Sequence, residues 1–207
     1  MGLAKLKTQT IFTPEDYLIF ERENASRHEF LDGEIYAMAG ESLPHSRICM
    51  NLAREIGNSL KGRNCEPLSP NMKVRTSTAS LFSYPDLTIV CGEPQFHDRK
   101  KDVLTNPRVI FEVLSPSTAD YDRTTKFQRY RMGNETLTDY LLVSQDKPFV
   151  EHFTKQANGS WVYQSYGSIE DTLTIETIEC ELILREIYDR VEFDANPEDM
   201  ETFTEEI

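Results

Sequence analysis

Two short apolar runs, each carrying one acid, constrain this chain more than any other feature. The first is Pro85-Asp86-Leu87-Thr88-Ile89-Val90-Cys91. The second is Val109-Ile110-Phe111-Glu112-Val113-Leu114, followed by Ser115-Pro116-Ser117-Thr118. Short β-branched runs bounded by turn residues are expected to be strands buried on both faces. A carboxylate in such a strand is costly unless it is paired or takes up a proton. Two acids on neighbouring strands have a shared solution, a bound cation. Hard oxygen ligands suit Mg²⁺ or Mn²⁺, which keep several waters and need few protein carboxylates. Such a pair can hold a metal that activates water beside a phosphodiester. The structural alternative treats each acid alone: Asp86 caps a strand start, and Glu112 pairs with a buried Lys or Arg.

Pro85-Asp86, with the downstream Glu112-Val113-Leu114-Ser115-Pro116-Ser117-Thr118, resembles the Uma-type restriction endonuclease family of the PD-(D/E)XK nuclease-like superfamily. The resemblance runs from about Thr13 to about Glu192. It implies a restriction-endonuclease-like core, DNA as substrate, and Mg²⁺ or Mn²⁺ held by Asp86 and Glu112, with the Val113 carbonyl as a third ligand. One departure matters. The superfamily's lysine falls two residues after the acid, where this chain has Leu114. Lys126, on the helix after the Ser-Pro-Ser-Thr turn, is the expected replacement, because that helix starts at the carboxyl end of the Glu112 strand. Lys73 is the competing candidate, and Tyr130 either supports Lys126 or packs.

Along the chain, Thr13-Pro14-Glu15-Asp16 is a helix start with its N-cap, first-position proline and first-turn acids. Asp32-Gly33 marks a hairpin between Glu29-Phe30-Leu31 and Ile35-Tyr36-Ala37-Met38. Glu34 comes directly after that turn, and the resemblance makes it a secondary site candidate. Ser42 caps a helix reaching Lys61, with Ile48, Leu52, Ile56 and Leu60 as its core stripe. His45 lies in the first turn, where the family also carries a histidine. Met72 to Arg75 is expected to pair with the Pro85 strand across a Ser/Thr-rich loop. The charged run Asp98 to Asp102 reads as a solvated loop. A third helix is expected from about Asp120 to Met132, stopped by Gly133, with Arg123, Lys126 and Arg129 on one broad face. Tyr140 to Val143 is a strand parallel to the Glu112 strand through this crossover. The next element is a hairpin around Asn158-Gly159.

These elements give a mixed α/β sheet flanked by helices, in one domain over 1–193, with an acidic tail over 194–207 expected to be mobile. The chain of 207 residues is 39% hydrophobic and 28% charged, with a net charge of −13. The tail accounts for six acids and no base, so the remainder is still acidic. That balance argues against a generic nucleic-acid binder. It requires a nuclease to gather its positive charge in one cleft. Nothing resembles a signal peptide or a membrane span, and Cys49, Cys65, Cys91 and Cys180 read as buried thiols in a reducing cytoplasm, not as disulfides or a zinc site. The leading reading is a metal-dependent endonuclease acting on DNA, expected to be a homodimer. The alternatives are a non-catalytic nuclease-fold module and a dimerisation protein using Phe149, Phe153, Trp161 and Tyr163.

Overall fold

The computed structural model describes residues 11–193, together with the backbone of 4–5. The tail expected over 194–207 lies outside the described residues. The chain runs β1 (Ala4–Lys5), α1 (Pro14–Glu23), β2 (His28–Leu31), β3 (Glu34–Ala37), α2 (Leu43–Ser59), β4 (Cys65–Leu68), β5 (Lys73–Arg75), β6 (Leu81–Ser83) and β7 (Leu87–Cys91). It continues through β8 (Val103–Leu104), β9 (Val109–Leu114), α3 (Ala119–Tyr121), a π-helical turn (Asp122–Lys126), α4 (Phe127–Gly133) and β10 (Asp139–Ser144). β11 (Val150–Lys155), β12 (Trp161–Tyr166), β13 (Thr172–Ile175), β14 (Cys180–Ile183) and α5 (Leu184–Ile187) complete it.

Among the described residues the strands form two mixed sheets and a ribbon. One sheet has the order β12-β11-β10-β9-β7-β4, the other β1-β3-β2-β6-β5-β8, and β13 pairs with β14. β9 and β10 are parallel, joined by the α3–α4 crossover, while β7 is antiparallel to β9. The mixed α/β class is thus as the sequence indicates.

Each sheet face is buried for a local reason. Ile48, Leu52 and Ile56 recur one turn apart along α2 and pack on Leu87, Ile89, Val109, Phe111 and Val113. Fully burying such a side chain contributes about 1.5–3 kcal/mol. The opposite face, with Ile110, Leu114, Tyr140 and Leu142, is covered by Phe127 and Tyr130 of α4 and by Val74, Leu81 and Leu104 of the other sheet. α1 packs Tyr17 and Leu18 against Phe30, Ile35 and Phe82. Its start is the N-cap read at Thr13, and the structure adds a capping box in which Asp16 returns the hydrogen bond. The β2–β3 turn has φ +49° at Asp32 and +92° at Gly33, the geometry for which Asp-Gly is suited.

Several expectations are corrected. β5 does not pair with the Pro85 strand; it lies between β6 and β8 in the other sheet. The Ser/Thr-rich segment hides β6, whose Leu81, Phe82 and Ser83 are all buried. The helix does end at Gly133 as expected, although that glycine has no left-handed φ. It is the last residue of α4, and a Cβ there would lie 2.5 Å from Thr76 Cβ, so a close approach demands glycine. The Asp98–Asp102 run is not simply solvated, since Arg22 of α1 bonds both acids, at 2.8 Å to Asp98 and 2.6 Å to Asp102. Two cysteines are not free thiols. β4 and β7 set Cys65 directly opposite Cys91, and a disulfide joins them. Their separation of 26 residues hid that register from the sequence.

Candidate active site

Strand alternation aims the first acid. Val109, Phe111 and Val113 face α2, whereas Ile110 and Leu114 face α4. Glu112 falls on the α4 side by the period of two. The β7–β9 register pairs Leu87 with Phe111, so its continuation by one residue brings Asp86 opposite Glu112. Asp86 Oδ2 accepts a hydrogen bond from the Val113 N–H at 2.7 Å and lies 3.3 Å from His45 Nε2. His45 is held in the first turn of α2, where its N–H donates to Ser42 Oγ.

The π-helical turn aims the base. It adds a residue to the helical turn and so shifts the phase of the residues after it. Lys126 is turned inward. Its ammonium lies 2.9 Å from Glu112 Oε1, 3.1 Å from Glu29 Oε1 and 3.5 Å from Asp122 Oδ1. Exposure is 4% for Lys126, 3% for Glu112 and 2% for Glu29, so these charges interact at low dielectric. Arg123 instead bonds Glu151, and Arg129 bonds Asp32. The single broad face expected for Arg123, Lys126 and Arg129 is therefore corrected to three separate directions.

The electrostatics favour added positive charge. Burial pushes Glu112 well above the usual carboxylate range; Lys126 opposes this, while Asp122, Asp86 and Glu29 add to it. Burial also raises Glu29 and Asp122, again opposed by Lys126. Burial works against the Lys126 ammonium, but Glu112, Glu29 and Asp122 outweigh it and hold the group charged. Burial likewise opposes a charged His45, and Asp86 and Glu41 outweigh it to raise the imidazole. Burial pushes the Cys49 thiol up, as do Asp86, Glu41 and Glu112, so it is not a ready thiolate nucleophile. The Glu112 Oε1–Lys126 contact is close but off the hydrogen-bond direction, which makes it an ion pair rather than a directed bond. Glu29 Oε2 is buried with no hydrogen-bond partner among the described residues.

Four carboxylates, Asp86, Glu112, Glu29 and Asp122, thus meet one lysine and one histidine. The surplus of hard oxygen donors and the orphaned Glu29 oxygen fit a divalent cation such as Mg²⁺ or Mn²⁺.

Of the other candidates, Glu34 and Lys73 lie elsewhere, while Tyr130 packs within electrostatic reach of Lys126 and Glu112. Glu34, beside the hairpin turn, accepts from the Tyr36 hydroxyl at 2.5 Å. Lys73 is buried in the other sheet, its ammonium 5.6 Å from the Tyr17 ring centre and 5.3 Å from that of Tyr84. Tyr130 is buried and bonds Ser83 through its hydroxyl. Glu29 and Asp122 were missed. Glu29 carried only a weak signal, because it follows Arg27-His28 and heads the short Phe30-Leu31 pair rather than lying inside an apolar run. Asp122 stands four residues before Lys126, the spacing of a helical ion pair.

Comparison with known proteins agrees with the fold. Residues 14–185 match the model of the Uma2 family, described as "Putative restriction endonuclease". The chain belongs to the Uma2 family. Two uncharacterized proteins of Synechocystis are similar over most of their length. One, slr1290, is 36% identical over 85% of this chain and 90% of its own. The other, sll1609, is 35% identical over 75% of this chain and 87% of its own. The crystal structure of "a putative nuclease belonging to DUF820" from Anabaena variabilis superposes with a TM-score of 0.71 at 14% identity. It covers 86% of this chain and 97% of that one, a likeness of fold. This Uma2 chain has, among its described residues, no helix long and apolar enough to cross a membrane.

Proposed function

We propose that the chain is a metal-dependent endonuclease that hydrolyses DNA phosphodiester bonds. The observation that carries this reading is the buried Lys126 ammonium beside Glu112, in the cluster that Asp86 completes. A lysine from a helix thereby supplies the charge that Leu114 cannot.

Asp86, Glu112 and the Val113 carbonyl would hold Mg²⁺ or Mn²⁺, with Glu29 contributing oxygen. The ion would activate water and offset phosphate charge. The remaining work falls to the chain itself. The Val113 N–H and His45 fix Asp86 through one oxygen, Oδ2, which leaves Oδ1 as the ligand atom. Glu29, Glu112 and Asp122 keep Lys126 protonated and directed. Its ammonium stabilises negative charge as it develops on the attacked phosphate, an effect on the order of a hundredfold or more in rate. Its exposure of only 4% limits screening of that charge by water.

A non-cutting nuclease-fold module is the second reading. It is favoured by the three carboxylates that already share Lys126.

Supercoiled plasmid incubated with Mn²⁺ or with EDTA separates the two. The endonuclease reading requires nicking by the wild type with Mn²⁺, loss with EDTA, and loss in Glu112→Gln. Binding of DNA without nicking at any Mn²⁺ concentration supports the module.

A further inference from the structure

Beside the Asp86 site, three side chains of different chemistry converge at the start of α2. Glu41 Oε2 lies 3.2 Å from His45 Nδ1, and Cys49 Sγ lies 3.5 Å from the same nitrogen. All three atoms fall within 4.8 Å of one another. The cause is local. His45 and Cys49 stand one turn apart on a single helix face. Glu41, just before the Ser42 cap, folds back over that turn, with Ser46 Oγ at 3.4 Å from its Oε1.

Hydrogen bonding alone serves this group poorly. Nδ1 offers one proton or one lone pair, while a thiol and a carboxylate both crowd it. A tetrahedral cation satisfies all three at once. Bonds of about 2.0–2.1 Å to nitrogen and oxygen and about 2.3 Å to sulfur give ligand–ligand edges of about 3.4 Å for N–O and about 3.5 Å for N–S. The observed 3.2 and 3.5 Å match those edges.

A second observation is independent of these distances. The other ring nitrogen, Nε2, lies 3.3 Å from Asp86 Oδ2. A carboxylate behind the ring is the usual support of a metal-bound histidine, since it fixes the proton on one nitrogen and frees the lone pair of the other.

The geometry points to a metal site at Glu41, His45 and Cys49 for Zn²⁺ or a similar thiophilic divalent ion, separate from the hard-oxygen set at Asp86 and Glu112. Imidazole and sulfur select such an ion over Mg²⁺. Glu41 is exposed and His45 and Cys49 are half-buried, which leaves a path of entry and an open fourth position. On binding, Sγ coordinates as the thiolate and its proton passes to solvent. His45 touches both sets, so a cation on Nδ1 holds its Nε2 proton toward Asp86.

Titration of the purified chain with Co²⁺ tests the site without reference to DNA cleavage. A near-ultraviolet thiolate-to-cobalt band should saturate at one Co²⁺ per chain. Zn²⁺ should displace it, and excess Mg²⁺ should not. Cys49→Ser should abolish the band, while Cys180→Ser and Glu112→Gln should keep it. Glu41→Gln, at an exposed position, should weaken Co²⁺ binding at least about tenfold, with melting curves checking that each variant is folded. No band in the wild type, a band surviving in Cys49→Ser, or unchanged affinity in Glu41→Gln overturns the site. Loss of nicking activity with an intact band would instead count against the endonuclease reading alone.

Discussion

The Lys126 ammonium lies 2.9 Å from Glu112 Oε1, held there by a π-helical turn that comes after the strand. In the endonuclease reading proposed above, it brings from a helix the charge that the superfamily pattern supplies from the strand itself. The same ammonium is the shared counter-charge of Glu29 and Asp122, so Lys126 has a structural role as well.

That structural role predicts a pH-dependent stability loss in Lys126→Met. Removing one partner of a buried ion pair costs about 3–5 kcal/mol. Burial already raises Glu29, Glu112 and Asp122, and loss of Lys126 removes the charge that opposes it. A carboxyl raised in the folded state contributes its stability below the unfolded value of about 4 and loses it as pH rises through the folded value. Denaturant melts should therefore show a small deficit near pH 5 and the full deficit near pH 8. A deficit independent of pH would mean that the carboxyls are not set by Lys126.

Glu29→Gln should leave apo stability equal or slightly higher, because it removes one of the crowded carboxylates. It should reduce the gain on adding Mn²⁺, which for the wild type is about 2.7 kcal/mol at a hundredfold excess over the dissociation constant. Thermal melts with and without Mn²⁺ measure this. Equal gains in variant and wild type would remove Glu29 from the ligand set.

Asp139 gives a prediction of opposite sign. Burial works to raise this carboxyl, but His152 at 2.8 Å and Thr177 outweigh it and hold it below the usual value. A depressed carboxyl contributes stability above its unfolded value of about 3.9 and loses it as pH falls through the folded value. Asp139→Asn should cost about 1–3 kcal/mol at pH 6, with the gap to wild type closing in acid. A gap that persists at the lowest pH where both fold would contradict this.

The Cys65–Cys91 disulfide closes a separation of 26 residues. Chain entropy alone gives it about 3.5 kcal/mol. Cys65→Ser/Cys91→Ser should show that loss in denaturant melts. Alkylation of the unreduced, denatured chain should label Cys49 and Cys180 only. Labelling of all four would show that the pair is reduced under the conditions of preparation.

The legible parts of the fold are those set by local rules. The N-cap at Thr13, the Asp32-Gly33 hairpin, the α2 stripe and the parallel β9–β10 pair all depend on neighbours within a few residues or on one crossover. Long-range register was not legible. β5 joins β6 and β8, and Cys65 faces Cys91, through contacts that no local pattern specifies. At the candidate site, acids within apolar runs pointed to Asp86 and Glu112. Glu29 stands after Arg27-His28, outside any such run, and the nearby Asp32-Gly33 turn drew attention to Glu34 instead. The π-helical turn was hidden too, because the 3.6-residue period assumed for that helix gives no phase for Lys126, Arg123 and Arg129 once a residue is inserted.

Mn²⁺-dependent plasmid cleavage by Lys126→Ala, run beside calorimetric Mn²⁺ binding at a temperature where the variant is folded, tests the endonuclease reading most directly. The expected result is a fall in cleavage of about two orders of magnitude or more, with Mn²⁺ binding retained. Cleavage at the wild-type rate by the folded variant would contradict a lysine contributed by the helix.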